Sequence, residues 1–236
     1  MLRWHHCALI GLLCVLLPAA ALGGPWPRGA GKVFFAADIA FDRAHGQARL
    51  GQSDYIEYGL SDRFTLGGSL RADSGWTEAA VQPILLGLED APIRLRAFLR
   101  WHLGEVMPQS PAALELQVSS NPEFSADRVR LAGHLGRGFS VLDRDGWARL
   151  GVSAGIAGPL RDGQRDATLQ LGLEAWQGMR IWVDGAVSVS DGDPLPRLGV
   201  TTALDFGQRY TVTIGYGRSF GNWREAGGRI GLWAEF

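Results

Sequence analysis

The sequence is poor in lysine and in cysteine, and it has no block of basic residues. One lysine and 22 arginines stand against 24 acidic residues, which gives a formal net charge of −1. This balance argues against a protein that binds nucleic acid through its charge. Both cysteines, Cys7 and Cys14, lie within the first 23 residues. Residues 24–236 therefore contain neither a disulfide nor a thiol nucleophile.

Long apolar runs are also missing after Gly23, and the composition excludes several fold classes. A membrane helix needs about 18 consecutive apolar residues, and no stretch after Gly23 approaches that length. The hydrophobic content of 46% is too high for a disordered chain. The 33 glycines follow no collagen-like period and disfavour helical bundles. We therefore expect an ordered chain that is rich in β-structure.

The first 23 residues have the features of an export signal. Arg3 precedes an apolar run over residues 8–17, and small-x-small pairs then end at Ala21 and at Gly23. A basic start, an apolar middle and a small-residue end are typical of a cleaved signal peptide. We therefore predict that residues 1–23 are a signal peptide.

In the expected exported domain, residues 24–236, apolar and polar residues alternate with a period of two rather than 3.6. In the segment 93–103 the odd positions are all apolar, whereas the even positions are Arg or His except for Phe98. Such alternation is typical of a β-strand with one apolar and one polar face. The pattern predicts twelve strands, at about 31–42, 48–60, 63–73, 92–103, 112–120, 127–141, 146–158, 166–176, 179–189, 196–206, 208–219 and 228–236.

The connections between these strands predict a transmembrane antiparallel up-and-down β-barrel. Tight turns, such as 61–62 and 177–178, alternate with longer polar loops, such as 221–227. Short turns at one rim and longer loops at the other are typical of outer-membrane barrels. The stretch 104–111 is longer than its rim should need. Residues 77–91 are assigned to a long second loop, because a thirteenth strand there would break the up-down parity.

Aromatic residues distinguish a membrane barrel from a soluble one. A small soluble barrel is apolar inside, whereas a membrane barrel meets lipid with its outer face and carries aromatic belts at both interfaces. The belt expected at the short-turn rim comprises Phe35, Tyr58, Phe64, Trp101, Phe139, Phe206, Tyr210 and Phe236. A sparser belt with Phe41, Tyr216 and Phe220 is expected at the other rim. These belts predict a place in the bacterial outer membrane.

The last predicted strand resembles the C-terminal signature of outer-membrane barrels. Ile230, Leu232, Ala234 and Phe236 alternate along it, with the aromatic residue in the final position. The resemblance implies that the barrel-assembly machinery reads this strand and its Phe236. The other expected partners are membrane lipids and small solutes, and no nucleic acid is expected.

The hairpin over residues 55–70, YIEYGLSDRFTLGGSL, resembles a recurring hairpin of outer-membrane barrels, E-Y-G-L-T-D-R-L-T-L-G. Ser61 replaces the first threonine of that motif and Phe64 its second leucine. The motif is similar to the one in transporter-like barrels associated with phenol meta-cleavage pathways and in related uncharacterised outer-membrane proteins. The resemblance implies the barrel fold, and it also implies transport of small organic compounds.

Bases modestly outnumber acids on the polar face that should line the lumen. An unpaired charge in a narrow lumen carries a large desolvation cost, so these groups are expected to pair. The candidate residues for lining the lumen and for selectivity are Arg63, Arg71, Arg94, Arg96, Arg100, Arg128, Arg130, Glu57, Glu115 and Asp184.

Two functions remain open for this charged face. Guanidinium groups could attract solutes, as charged rings set selectivity in pores, which predicts a narrow passive channel or uptake protein for small polar, anionic or organic solutes. The same groups could instead form an Arg and carboxylate network that fills a closed structural barrel. Twelve strands fall between filled eight-stranded barrels and open 16-stranded porins, so size does not decide.

A lipid-acting enzyme of the outer membrane is the third alternative. Hydrolysis of a lipid ester needs a Ser and His pair, but none of His45, His102 and His134 has a Ser two residues away. We therefore expect no enzyme and no catalytic residue. No two histidines after Gly23 lie within ten residues of each other, so neither a metal site nor a cofactor is expected.

Overall fold

The computed structural model describes residues 24–45, 47–74, 93–120, 128–157, 165–190, 193–220 and 225–236. The predicted signal peptide and the segment 77–91 lie outside the described residues. No helix in the described part of the chain is both long enough and apolar enough to cross a membrane.

Twelve antiparallel strands close into one barrel in the described part of the chain. The strands are β1 (Val33–Ala44), β2 (Gln47–Gly59), β3 (Phe64–Asp73), β4 (Ile93–Met107), β5 (Ser110–Ser120), β6 (Arg128–Val141), β7 (Arg144–Ala157), β8 (Arg165–Trp176), β9 (Met179–Ser190), β10 (Asp193–Phe206), β11 (Tyr210–Ser219) and β12 (Glu225–Glu235). Each strand pairs with its neighbours in sequence, and β1 pairs with β12. The predicted all-β, up-and-down architecture is confirmed.

The start of β1 and the end of β12 meet at one rim of the barrel. Val33 and Phe236 exchange two backbone hydrogen bonds of 2.9 Å there. The short connections 60–63, 108–109, 142–143, 177–178 and 207–209 lie at the same rim. We call this the short-turn rim and the opposite one the loop rim. In outer-membrane barrels the short turns face the periplasm.

The hairpin between β4 and β5 corrects the prediction for the stretch 104–111, which is not an extended loop. β4 continues to Met107 and β5 begins at Ser110, so only residues 108–109 form the turn. Register shifts after His102 and after Glu105 mark bulges in this extension. Strands that project beyond the apolar belt meet water on both faces, so they need no alternation and leave no period-two signal.

Large apolar side chains cover the outside of the barrel. Leu171 is 54% exposed and Ile214 is 58% exposed, whereas the neighbouring inward-facing Thr213 is only 1% exposed. Exposing such a continuous apolar surface to water is unfavourable, whereas contact with lipid is favourable.

The predicted aromatic belt lies on this outer surface near the short-turn rim. Seven of its eight side chains are exposed, from Phe35 at 37% to Phe206 at 57%, and Phe139 is half-buried. Phe64 and Trp101 stack on neighbouring strands with their ring centroids 6.5 Å apart. The outward face predicted from the alternation is therefore confirmed.

Neighbouring residues of β8 offer a matched test of which face meets lipid. Leu169 points outward and is 56% exposed, whereas the side chain of Thr168 lines the lumen. Leu169→Arg should cost about 2–4 kcal/mol, because it places a charge in the hydrocarbon. Thr168→Arg at nearly the same depth should cost much less, because its charge meets water. Urea unfolding in lipid vesicles measures both changes, and equal costs would contradict the assigned faces.

Candidate functional site

Nine of the ten predicted lumen residues occupy inward-facing positions of the strands. They are Glu57 on β2, Arg71 on β3, Arg94, Arg96 and Arg100 on β4, Glu115 on β5, Arg128 and Arg130 on β6, and Asp184 on β9. Arg63 precedes β3 in the turn at the short-turn rim, where it is exposed. The strand alternation thus identified the inward face but could not fix the position of a residue in a turn.

A buried ionic network ties three strands together near the short-turn rim. Arg100 Nη1 donates to Glu57 Oε1 at 2.7 Å, and Arg100 Nε donates to Glu115 Oε2 at 2.7 Å. The hydroxyl of Tyr55 donates to the same Glu57, and Gln117 donates to Glu115. Arg100 and Glu57 are 3% and 0% exposed. Because both carboxylates and the guanidinium are out of water, each depends on the others for its charge to be tolerated.

Further ion pairs line the lumen toward the loop rim and at the β9–β11 wall. Asp73 forms ion pairs with both Arg71 and Arg94. Arg130 donates hydrogen bonds to Asp166 and Ser153. Further pairs join Arg49 to Asp42 and Glu225, Arg180 to Asp205, Arg197 to Asp42, and Arg229 to Asp184.

The polar face predicted from the alternation also included Asp73, Asp166, Arg180, Arg197, Asp205 and Arg229, but three of the paired residues were missed, namely Asp42, Arg49 and Glu225. Each is separated by an even number of residues from a carboxylate on the polar face. Asp42 lies four residues from Asp38, Arg49 lies eight residues from Glu57, and Glu225 lies ten residues from Glu235. An even separation along a strand places two side chains on one face. The period-two signal was therefore available for Asp42 and Arg49, whereas Glu225 precedes the predicted strand 228–236.

Six aromatic rings form a continuous arc inside the lumen, which the sequence had predicted to be polar apart from Phe98. The successive ring centroids are 5.6 to 6.2 Å apart. The arc consists, in order, of Phe98, Tyr55, Phe34, Trp233, Trp182 and Trp147. A Cβ at Gly67 would overlap the ring of Phe98, so the wall needs glycine there. Edge-to-face and offset aromatic contacts of this kind stabilise a narrow lumen.

Residues 24–32 form an irregular segment, the N-terminal segment, that enters the lumen from the short-turn rim. Gly31 N donates to Gly59 O at 2.8 Å, and Gly59 N donates to Lys32 O at 2.9 Å. Arg28 then reaches Glu57 and, at 3.1 Å, Glu235, while its guanidinium lies 4.1 Å from the centroid of Phe34.

The inner end of the N-terminal segment contacts the opposite wall. His102 Nδ1 donates to the Pro25 carbonyl at 3.0 Å, and Trp26 packs against the cluster of Trp147, Trp182 and Ala203. Pro25 is fully buried although it belongs to no strand. The segment therefore lies across the lumen. Its sequence has no periodic pattern, so nothing in the sequence predicted this position.

A cavity of about 430 Å³ lies in the lumen and borders the aromatic arc at Tyr55 and Phe98. Four guanidinium groups and two carboxylates line it, which leaves an excess of two positive charges. The charged groups are Arg96, Arg100, Arg130, Arg149, Glu115 and Asp166. Arg96 is exposed to the lumen and forms no ion pair with any other described residue. The cavity is therefore suited to attract anions.

The two histidines on the inward face of β4 and β6 lie beside polar groups of the wall, and His134 also lines the cavity. His102 lies 2.9 Å from the hydroxyl of Thr65, which is completely buried, and its other ring nitrogen is bonded to Pro25. His134 Nε2 lies 3.6 Å from Glu115 Oε2. Among the described residues, no group of three or more His, Cys, Asp or Glu side chains is arranged to hold a metal ion.

Comparisons with known proteins show similarity of fold. No family model matches the sequence, and no curated protein matches it. The KdgM porin, in a structure with disordered oligogalacturonate, superposes with a TM-score of 0.61 at 9% identity and covers 85% of this chain and 99% of the porin. An outer membrane channel from Pseudomonas putida F1 gives a TM-score of 0.59 at 10% identity, covering 92% of this chain and 100% of the channel. The NanC porin gives 0.58 at 9% identity, covering 83% and 98%.

The fold is that of the porin-like barrels of the bacterial outer membrane. Each of these three structures is matched over almost its whole length. The same fold and the apolar outer surface support the outer membrane as the location of this chain.

The buried network makes a prediction about stability. Arg100→Ala should destabilise the barrel by about 3–5 kcal/mol, because it leaves Glu57 and Glu115 without their shared cation. Arg94→Ala is the matched control on the same strand. Its side chain is 45% exposed and Asp73 keeps Arg71, so the cost should be about 0–1 kcal/mol. Urea unfolding measures both variants, and similar costs would show that the Arg100 network is not required.

Proposed function

We propose that this protein is an outer-membrane channel for small anionic solutes. The observation that carries the proposal is the lumenal cavity in which guanidinium groups outnumber carboxylates four to two. A positively lined passage raises the local concentration of anions and lowers that of cations.

Arg96 is the residue of this cavity on which selectivity should depend most. Arg100 is enclosed between Glu57 and Glu115, and Arg130 is paired with Asp166. Their charges are largely compensated by these partners. The guanidinium of Arg96 lies on the same face of β4 and is exposed to the lumen. Its field is therefore available to a passing solute.

The size and chemistry of the cavity favour an organic anion of one or two rings. About 430 Å³ lies within the usual range of small-molecule sites. Gln117, Ser153, Thr168 and Ser188 add polar side chains that can hydrogen-bond to a solute. The KdgM porin, which shares the fold, has been observed with an oligogalacturonate, a chain of carboxylated sugars. The resemblance of the hairpin 55–70 to barrels associated with phenol meta-cleavage pathways adds small aromatic acids as candidate solutes.

A closed structural barrel is the second candidate. The observation that favours it is the combination of the aromatic arc, the buried Arg100 network and the N-terminal segment, which together fill the lumen near the short-turn rim. Under this alternative no variant that leaves the barrel folded would conduct with selectivity for anions.

Partners at the membrane follow from the outer surface and the last strand. We propose that lipid covers the apolar belt and that the barrel-assembly machinery recognises β12 together with Phe236. Phe236 is exposed on the outer surface at the short-turn rim, where a second protein can reach it during insertion.

Reversal potentials in planar bilayers test the channel. Arg96→Gln should lower the ratio of anion to cation permeability, and the loss should shrink at high salt, because salt screens exposed charges. Arg43→Gln is the control, since Arg43 lies on the outward face of β1 with its guanidinium 5.4 Å from the ring of Phe41. Both substitutions are introduced into the wild-type chain and into a chain that also carries Arg28→Glu. The Arg28→Glu change should release the N-terminal segment. An equal permeability ratio for Arg96→Gln and Arg43→Gln would contradict the proposed selectivity.

A further inference from the structure

The N-terminal segment occupies a socket that the barrel wall is shaped to receive. Gly136 of β6 faces Pro25 and Trp26, and a Cβ at this position would overlap both side chains. Gly59 of β2 likewise leaves room for the backbone of Gly29. Two separate strands therefore carry glycine where the segment approaches the wall. Such close approach excludes any larger residue.

Charge and aromatic contacts hold the same segment. Arg28 is the only basic residue of residues 24–31, and it lies between Glu57 and Glu235 with its guanidinium against Phe34. Its side chain is 9% exposed. The pairing of one guanidinium with two carboxylates and an aromatic face fixes the segment in one position.

The wall of the barrel does not depend on the segment for its closure. β1 pairs directly with β12 over eleven residue pairs from Phe34 to Ala44. Glu57 retains Arg100 and Tyr55 when Arg28 is absent. Departure of the segment therefore leaves a closed sheet and a compensated carboxylate. The segment can be lost from the lumen without unfolding the barrel.

A hinge for such a movement lies at the rim. Gly29 and Gly31 both have positive φ, of 78° and 77°, and they flank Ala30 directly before β1. Glycine reaches these conformations and their alternatives at little cost. The backbone at Gly29 can therefore change direction while Gly31 remains bonded to Gly59 and Val33 to Phe236.

We propose that the N-terminal segment is a releasable plug, held by Arg28, that closes the lumen of this chain at the short-turn rim. The plug lies next to the cationic cavity, because Arg149 lines the cavity and also borders the space beside Gly24. A solute in the cavity therefore meets the segment before it can leave through the short-turn rim. This role as a plug rests on the proposed channel function.

Paired glycine substitutions on β6 test the plug. Gly136→Leu should push Pro25 and Trp26 out of the socket. Gly138→Leu is the matched control, because a Cβ at Gly138 meets no atom within 4 Å. Trypsin followed by mass spectrometry reports cleavage after Arg28, and planar-bilayer recording reports conductance. Both barrels are first checked for heat-modifiable migration on gels, so that only folded protein is compared.

Gly136→Leu should make the bond after Arg28 cleavable and should raise the conductance severalfold, whereas Gly138→Leu should behave as the wild type. Rapid cleavage after Arg28 in the wild type would overturn the docked segment. Suppose that the wild type already conducts and that Gly136→Leu is cleaved after Arg28 with the same conductance as the wild type. That result would overturn the plug and leave the channel function intact. Release of the segment with no current in any variant would overturn the channel function itself.

A second pair of variants tests the same segment by reversing the charge of a side chain. Arg28→Glu should release it, because the new carboxylate faces Glu57 and Glu235, and conductance should rise as it does for Gly136→Leu. Lys32→Glu makes the same change of charge at an exposed position four residues away and should leave conductance unchanged. Equal conductance for these two variants would overturn the role of Arg28 as the residue that holds the plug.

Discussion

The lumen near the short-turn rim depends on the ion pairs that the buried guanidinium of Arg100 forms. It joins Glu57 of β2 to Glu115 of β5 from its place on β4. None of these three groups could remain charged in so dry a place without the others. Their pairing also makes Glu57 available as the anchor of Arg28. One ionic network therefore fixes the wall and, through it, the N-terminal segment.

The same requirement divides the lumen into two parts. On β4 near the short-turn rim, the ion pairs of Arg100 are buried beside the ring of Phe98, so charge there holds strands together. Farther along β4, Arg94 and Arg96 are exposed, and guanidinium groups there remain hydrated. A charge in contact with water contributes little to stability, but it acts on mobile ions at a distance of about a Debye length. Hydration rather than residue type thus separates the structural arginines from Arg96, for which we propose a role in selectivity.

The alternation of apolar and polar residues was sufficient to predict the twelve strands, the closed barrel and the inward face that carries Arg100 and Glu115. It could not identify the ion pairs, because which side chains meet depends on the register of neighbouring strands, and register leaves no mark within one strand. The N-terminal segment was not predicted, since an irregular segment has no period. The aromatic arc was missed for another reason: the inward face of a membrane barrel is usually polar, so Phe34 and Trp182 gave no signal for it.

The scarcity of lysine in the sequence follows from this way of using charge. Arg28, Arg49 and Arg100 each bring two carboxylates together. The planar guanidinium offers five donors in a fixed fork and can serve two acceptors at once, whereas an ammonium group is a compact and strongly hydrated point charge. A lumen in which one cation must bridge two carboxylates therefore requires arginine at these positions. Lys32, the single lysine, lies instead at the exposed rim, where no carboxylate has to be bridged.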